Sequence, residues 1–476
     1  MKAAPLVLVL LLASPAAGQP RPDIQTQVTP AMTPAVTSFL GGVPTGTATH
    51  EVVTITVLDA IVRALQHNLG VLLTEDSLGR ARGVRWKMLS ELLPNVNGRI
   101  SETRQKVNLQ AFGFGSPGVP TLPGFPNIIG PFNIFDARVY MSQSIIDLAA
   151  LNDARAETHN VEAARLTFLS ARDFVVNVAG TLYIHALGSR ARAESARAQQ
   201  QTAQALYDQA LNMKQNGLVA GIDVLRAEVQ LSTETQRSTV NANEFQKAKL
   251  QLARAIGLPL GQDFALDANL PQLPASDLTI DSAIELAYRT RTDYQAALER
   301  VRAAEATRRS AASSLLPSVR VNADYGDIGL SVSDAQFTYA VSGVVNIPIF
   351  QGGRFRAKLA EADADLRQRR AEAEDLRASI YYEVRSAFLD LDATAQQLKT
   401  ATRARDLAAE ELVQARDRFA AGVASNIEVV QAQQAVAIAN EQFISAQYGY
   451  DLAQAGLLKG VGTGEAVLRQ LLRGAP

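Results

Sequence analysis

The 476-residue chain has no cysteine at all, so disulfides, thiolate metal sites, cysteine nucleophiles and a cysteine-linked lipid anchor are all excluded. Histidine is scarce, with only His50, His67, His159 and His185. No two of these stand four apart and no H-E-x-x-H occurs, so nothing suggests a histidine metal site. Neither sign of charge dominates, with 46 Lys+Arg against 47 Asp+Glu, so nucleic acid is not indicated as a main partner. The phosphate-loop pattern G-x-x-x-x-G-K-[ST] is absent. Carboxylates are plentiful but scattered over what read as solvated helix faces, and no constellation of reactive groups assembles. The expectation is therefore a protein that is not an enzyme and holds no cofactor or metal. Beyond the N-terminus there is no long apolar run, so a membrane crossing would have to be made by strands.

The first residues read as a secretory signal over 1–18: Lys2, an apolar stretch from Leu6 to Ala13, then small residues at Ala16-Ala17-Gly18. Residues 19–50 carry Pro20, Pro22, Pro30, Pro34 and Pro44 among threonines and read as a flexible leader. The rest is patterned twice. Thr56, Ala60-Ile61 and Leu92-Leu93-Pro94 recur 223 positions later as Thr279, Ala283-Ile284 and Leu315-Leu316-Pro317. Gly217, Ile222-Asp223-Val224 and Gly257 recur 205 positions later as Gly422, Ile427-Glu428-Val429 and Gly462. A register kept over such distances indicates an internal duplication, 51–257 and 278–476 around a linker at 258–277. The first copy is the longer by 18, and the Gly/Pro-rich stretch from Gly113 to Pro131 accounts for the excess.

Each copy predicts a short helix (about 56–68, 279–291), then a second helix that ends at Pro94 or Pro317, where the ring and the missing N–H stop it. Two strands follow in each copy. In the second they lie at about 318–327 and 336–348, where Val319, Val321, Ala323 and Tyr325 alternate with Arg320, Asn322 and Asp324. In the first they lie at about 96–112 and 133–146; Glu102, Arg104 and Lys106 disturb the earlier of the two. One apolar and one polar face suit either barrel strands in lipid or a half-buried soluble sheet. Next come proline-free runs at 148–214 and 354–420, with apolar residues at helical spacing such as Leu366, Ile380, Val384, Phe388 and Leu391. Helices of that length reach about 100 Å and cannot be the core of a compact domain. They must pack lengthwise on similar helices, closing hairpins at about 148–256 and 354–459. The turns read Gly217-Leu218-Val219-Ala220 and Gly422-Val423-Ala424-Ser425, each followed by an acid, Asp223 or Glu428. As plain turns they are explained by glycine stops and N-terminal acids; as surfaces they present two similar small-apolar knobs.

The twofold order of elements, the two Leu-Leu-Pro stops, Ile347-Pro348-Ile349-Phe350-Gln351-Gly352-Gly353 at a strand-to-helix junction and the tip at 217–224 together resemble the TolC-type outer-membrane efflux protein family. The resemblance covers nearly all of the chain after residue 50. It implies a mainly α protein with a membrane β-barrel: a homotrimer in which each protomer gives four strands to a twelve-stranded barrel and sends helical hairpins into the periplasm as an α-barrel. The implied function is an outer-membrane channel for efflux or type I secretion. Its partners would be a periplasmic adaptor and an inner-membrane pump of the resistance-nodulation-division or ABC type. Gly217, Leu218, Val219, Ala220, Gly422, Val423, Ala424 and Ser425 would be the adaptor-docking tips, and Asp223, Glu428 and Gln431 would line the periplasmic aperture. Two positions depart from the family pattern: Ala424 stands where an arginine helps lock the mouth, and Gln431 where a second acid is usual. The competing expectation is a secreted coiled-coil structural or adhesive protein, which leaves the strand pairs unexplained.

Overall fold

The computed structural model describes residues 38–112, 126, 128–217, 219–270, 279–421, 423 and 426–465. The expected signal segment at 1–18, much of the expected leader at 19–50 and most of the Gly/Pro-rich stretch 113–131 lie outside them. Two short helices come first, α1 (Val57–His67) and α2 (Leu69–Ser90), then strands β2 (Asn95–Asn108) and β3 (Ile128–Ile146). The long α3 (Leu148–Gln215) and α4 (Gly221–Ala255) follow. The same order then resumes: α5 (Ile280–Thr290), α6 (Thr292–Ser313), β5 (Ser318–Gly329), β6 (Gln336–Asn346), α7 (Arg354–Ala420) and α8 (Asn426–Val461). Two three-residue strands, β1 (Val53–Ile55) and β4 (Phe264–Leu266), pair in parallel at the waist.

Local chemistry explains the boundaries. Thr56 accepts the Asp59 N–H while Asp59 accepts the Thr56 N–H, a reciprocal cap that starts α1. Thr279, 223 positions on, accepts the Ser282 N–H and starts α5. Gly352 and Gly353 have φ of +57° and +85°, so the chain leaves β6 for α7 through two left-handed residues that only glycine takes without strain. The 95–108 strand stops earlier than the pattern to residue 112 suggested. Asn108 accepts the Gln110 N–H through its side chain, and Leu109–Phe112 curls into a 3₁₀ turn.

β2, β3, β5 and β6 form one antiparallel sheet in that order, with β2 and β6 as open edges. The long helices pack as coiled coils. In α3 the buried residues Ser189, Ala196, Ala203 and Ala210 recur every seven positions, and in α7 so do Ala401, Ala408 and Ala415. A seven-residue repeat gives a left-handed supercoil, and alanine at the knobs brings the axes close. At 68 residues α3 is about 100 Å long.

Two waist cores stand at the same registers. One holds Ala60, Ile61, Ala64, Val175, Ala179, Leu252 and Ile256; the other holds Ala283, Ile284, Ala287, Ile380, Val384, Leu457 and Val461. These correspond one to one at spacings of 223 and 205. Gly257 and Gly462, both with positive φ, end their helices with matching bonds: Leu258 N–H to Ala253 O, and Thr463 N–H to Leu458 O. Tyr183 is fully buried in the first core, its hydroxyl 2.8 Å from the carbonyls of both Ile55 and Asp267. It thereby ties α3 to the small waist sheet.

Candidate functional site: a two-faced sheet above two helical tips

The register sorts the sheet into two faces, because paired residues point the same way. One face carries Val96 and Ile100, then Phe135, Ala137, Val139 and Met141, then Val319, Val321, Ala323 and Tyr325, then Phe337, Tyr339, Val341 and Val345. Among the described residues nothing covers this face: Ile100, Tyr339 and Val341 are 79, 70 and 71 % exposed. Tyr325, Phe337 and Tyr339 cluster at its outer end, with Tyr325 and Phe337 edge to face at 4.8 Å. Glu102 and Arg104, which spoil the alternation in sequence, lie on this same face toward its outer end, opposite Phe135 and Asn133, and Asp327 stands there too, between Ala137 and Phe337. The other face carries Asn95, Asn97, Arg99, Asp136, Arg138, Ser142, Arg320, Asn322, Asp324, Thr338 and Ser342. Bare apolar area on one side and polar side chains on the other is the pattern of a strand set between lipid and water. Among the described residues no helix is long and apolar enough to cross a membrane.

At the far end of the helices are the two tips. Gly217, with φ +72°, ends α3, and its N–H reaches Lys214 O. Val219 and Ala220 lead into α4, with Asp223 in the first turn, where its carboxylate lies 3.3 Å from Arg226. Val224 is buried with Ala210 and Ala227, while Ile222 and Leu225 are left exposed. At the second tip Val423 is 69 % exposed and its N–H bonds Arg418 O. Glu428 lies 3.6 Å from Arg418, so this ion pair spans α7 and α8. Val429 is fully buried between Ala415 and Ala432, and Leu206 of α3 packs on the same cluster, joining the two tips. Gln431 is exposed. Leu218, Gly422, Ala424 and Ser425 lie outside the described residues. The two arginines were missed in the sequence: Arg226 follows Asp223 by three, but Arg418 precedes Glu428 by ten and meets it only because the chain turns back.

At the waist a cavity of about 210 Å³ opens between α1, α3 and α8. Its wall is mostly apolar, from Val57, Ile61, Phe174 and Leu458, with Asp173 and Asp451 set into it. Burial pushes both carboxyls above their ordinary value; the Glu465 N–H opposes the shift at Asp173, and the Gln447 amide at Asp451. Burial also pushes the Tyr183 hydroxyl up to about 12. No cluster of acids and histidines suited to a metal ion occurs among the described residues.

Residues 283–463 match the family model described as outer membrane efflux protein. Over that region the chain resembles the outer membrane efflux proteins. It is 24 % identical to the pyoverdine export outer membrane protein OpmQ of Pseudomonas putida over 69 % of this chain and 71 % of that one. It is 23 % identical to the toluene efflux pump outer membrane protein TtgF of the same species, over 85 % and 83 %. Among solved structures, the Campylobacter jejuni CmeC outer membrane channel superposes with a TM-score of 0.76 at 18 % identity, covering 86 % of each chain. The likeness is that of a mainly helical outer-membrane protein with a long periplasmic helical part.

Proposed function

We propose that the chain is one third of an outer-membrane exit duct, conducting solutes from a periplasmic adaptor and an inner-membrane pump to the outside. What supports this above all is the bare apolar face of a sheet that has two open edges. An isolated four-stranded sheet of this kind would be unstable in water and prone to pair at its edges. Joining β6 of one copy to β2 of the next, three times over, gives a closed twelve-stranded barrel with no edge and with the polar face around a bore. Conduction is passive, so the chain itself needs no nucleotide or cofactor.

Internal duplication explains how three chains make a near-sixfold rod. Within the chain α3 packs on α6 through His159–Glu299 at 2.8 Å, Asn152 to Ser313 at 3.2 Å and Arg300 to Thr167 at 2.9 Å. The repeat spacings carry α3 onto α7 and α6 onto α2. The outer face of α7 is therefore to be covered by α2 of a neighbouring copy, with Ala357 in the place of Asn152 and Ser90 in the place of Ser313. The same spacings already hold within each half: Arg85 donates to Thr158, and Arg308 to Asp363 at the equivalent positions. The tips Gly217–Ala220 and Gly422–Ser425 are assigned to adaptor docking, and Asp223, Glu428 and Gln431 to the aperture. Neither a pump nor a cargo is assigned.

Because the chain has no native cysteine, the trimer can be tested cleanly. Ser90→Cys/Ala357→Cys, bridged by a short bis-maleimide, should give a covalent trimer in denaturing gels. Asn152→Cys/Ser313→Cys should stay monomeric there. A monomer from the first pair, together with no conductance in planar bilayers, would overturn the assignment.

A further inference from the structure

The polar face of the sheet is not uniformly charged, and its imbalance has a direction. Arg138 reaches Asp136 through Nε and a terminal nitrogen, at 2.7 and 2.5 Å, and Asp324 through its other terminal nitrogen at 3.1 Å. Both acids of this face are thus held by one arginine. Arg99 stands directly opposite Arg138 in the β2–β3 ladder, and Gly326 and Thr338 complete its row. Arg320 shares its row with Ser144 and Val344. Neither row supplies an acid, and both side chains are exposed. Like charges directly opposite each other in a sheet destabilise it; Arg99 also lies within electrostatic reach of Asp136, which offsets part of that cost. Three arginines against two aspartates leave one positive charge per chain among the described residues of this face.

Resting on the barrel reading above, we infer that Arg99 and Arg138 in one row and Arg320 in another, six positions away along β5, form a broad positive belt inside the bore, which makes the duct favour anionic solutes. The belt lies on the wall of an aqueous channel, where fixed charge raises the local concentration of the opposite sign. Guanidinium groups stay charged at any working pH, so the preference is independent of pH. The mouth does not oppose it, because Glu428 sits beside an arginine of its own hairpin. Screening sets the range: the Debye length is about 8 Å at physiological salt and about 30 Å at 0.01 M, so the preference is strong in dilute salt and fades in concentrated salt.

The test is the reversal potential of the wild-type trimer in a planar bilayer across a potassium chloride gradient at low ionic strength. Chloride should permeate better than potassium. Arg99→Gln/Arg320→Gln takes this face from one positive to one negative charge per chain and should bring the chloride-to-potassium ratio below one, whereas Arg99→Lys/Arg320→Lys should preserve it. If the double glutamine variant does not assemble, the wild-type ratio alone decides, since it must fall toward one as salt rises to about 1 M. A wild-type preference for potassium, or a ratio untouched by removing both arginines, would overturn the belt while leaving the duct intact. A trimer that passes no current would instead overturn the duct.

Discussion

Val341 and Ser342 are neighbours in sequence but lie on opposite faces of β6, so arginine at each should have opposite consequences. Val341 pairs with Ala323, the middle pair of the eleven in the β5–β6 ladder, which places it near the centre of the apolar band. An arginine on the lipid face of a barrel strand costs about 2–4 kcal/mol at the bilayer midplane. Even the lower figure is about a thirtyfold change in the folding equilibrium for each chain, and a trimer carries the lesion three times. Ser342 pairs with Asn322 on the polar face, where arginine meets water and should cost little. The assay is urea-dependent folding into lipid vesicles, read as the heat-modifiable trimer band on gels. Val341→Arg should lower the midpoint sharply or abolish the trimer; Ser342→Arg should fold as the wild type does and change only conductance. Equal tolerance of both, or loss only with Ser342→Arg, would refute the assignment of faces and the membrane barrel with it.

Tyr183→Phe removes the hydroxyl shared by the Ile55 and Asp267 carbonyls in a fully buried place; a loss of about 1–3 kcal/mol is expected, measurable as a lower thermal midpoint of the helical signal. Asp451 has its pKa raised above 3.8 by burial, so the folded state holds the proton more tightly than the unfolded one. Its contribution favours folding in acid and is progressively lost as pH rises from about 4 through the raised value. Asp451→Asn should therefore stabilise the protein at pH 7 and make little difference at pH 3, as thermal melts at the two pH values would reveal. Val423→Asp puts a charge on the exposed knob of the second tip and should abolish export while trimer yield and single-channel conductance stay normal; equal loss of trimer and export would remove the docking role.

Much of the architecture was legible because its signals are long. A 67-residue helix free of proline declares itself through tens of apolar positions at constant spacing, and α7 runs Arg354–Ala420 where the sequence suggested 354–420. The second pair of strands was clear for a similar reason: from Val319 to Tyr325 every second residue belongs to the apolar face. The first strand was harder. Glu102 and Arg104 share parity with Val96 and Ile100, so period alone reads them as errors in the pattern; the register keeps them on that face, opposite Phe135 and Asn133 toward its outer end. The acids at the tips were visible, but whether they carry free charge was not, since the Arg418–Glu428 contact depends on the turn geometry.

The two repeat spacings also explain why the halves differ where they do. At the waist the equivalent pairs keep their volume class, as with Ala60 and Ala283, Leu252 and Leu457, or Val175 and Ile380, because each must fill a closed space. At the tips the buried Val224 and Val429 match, yet the charges do not. Arg226 answers to Gln431, and Arg418 answers to Met213, so one tip binds its acid within α4 while the other bridges α7 to α8. Exposed ion pairs contribute only about 0–1 kcal/mol, so a change of arrangement there costs the fold almost nothing. The difference falls on the α7–α8 hairpin alone: the Arg418–Glu428 pair ties its two helices together at the tip, whereas the Asp223–Arg226 pair rides on one helix and ties nothing across the first hairpin.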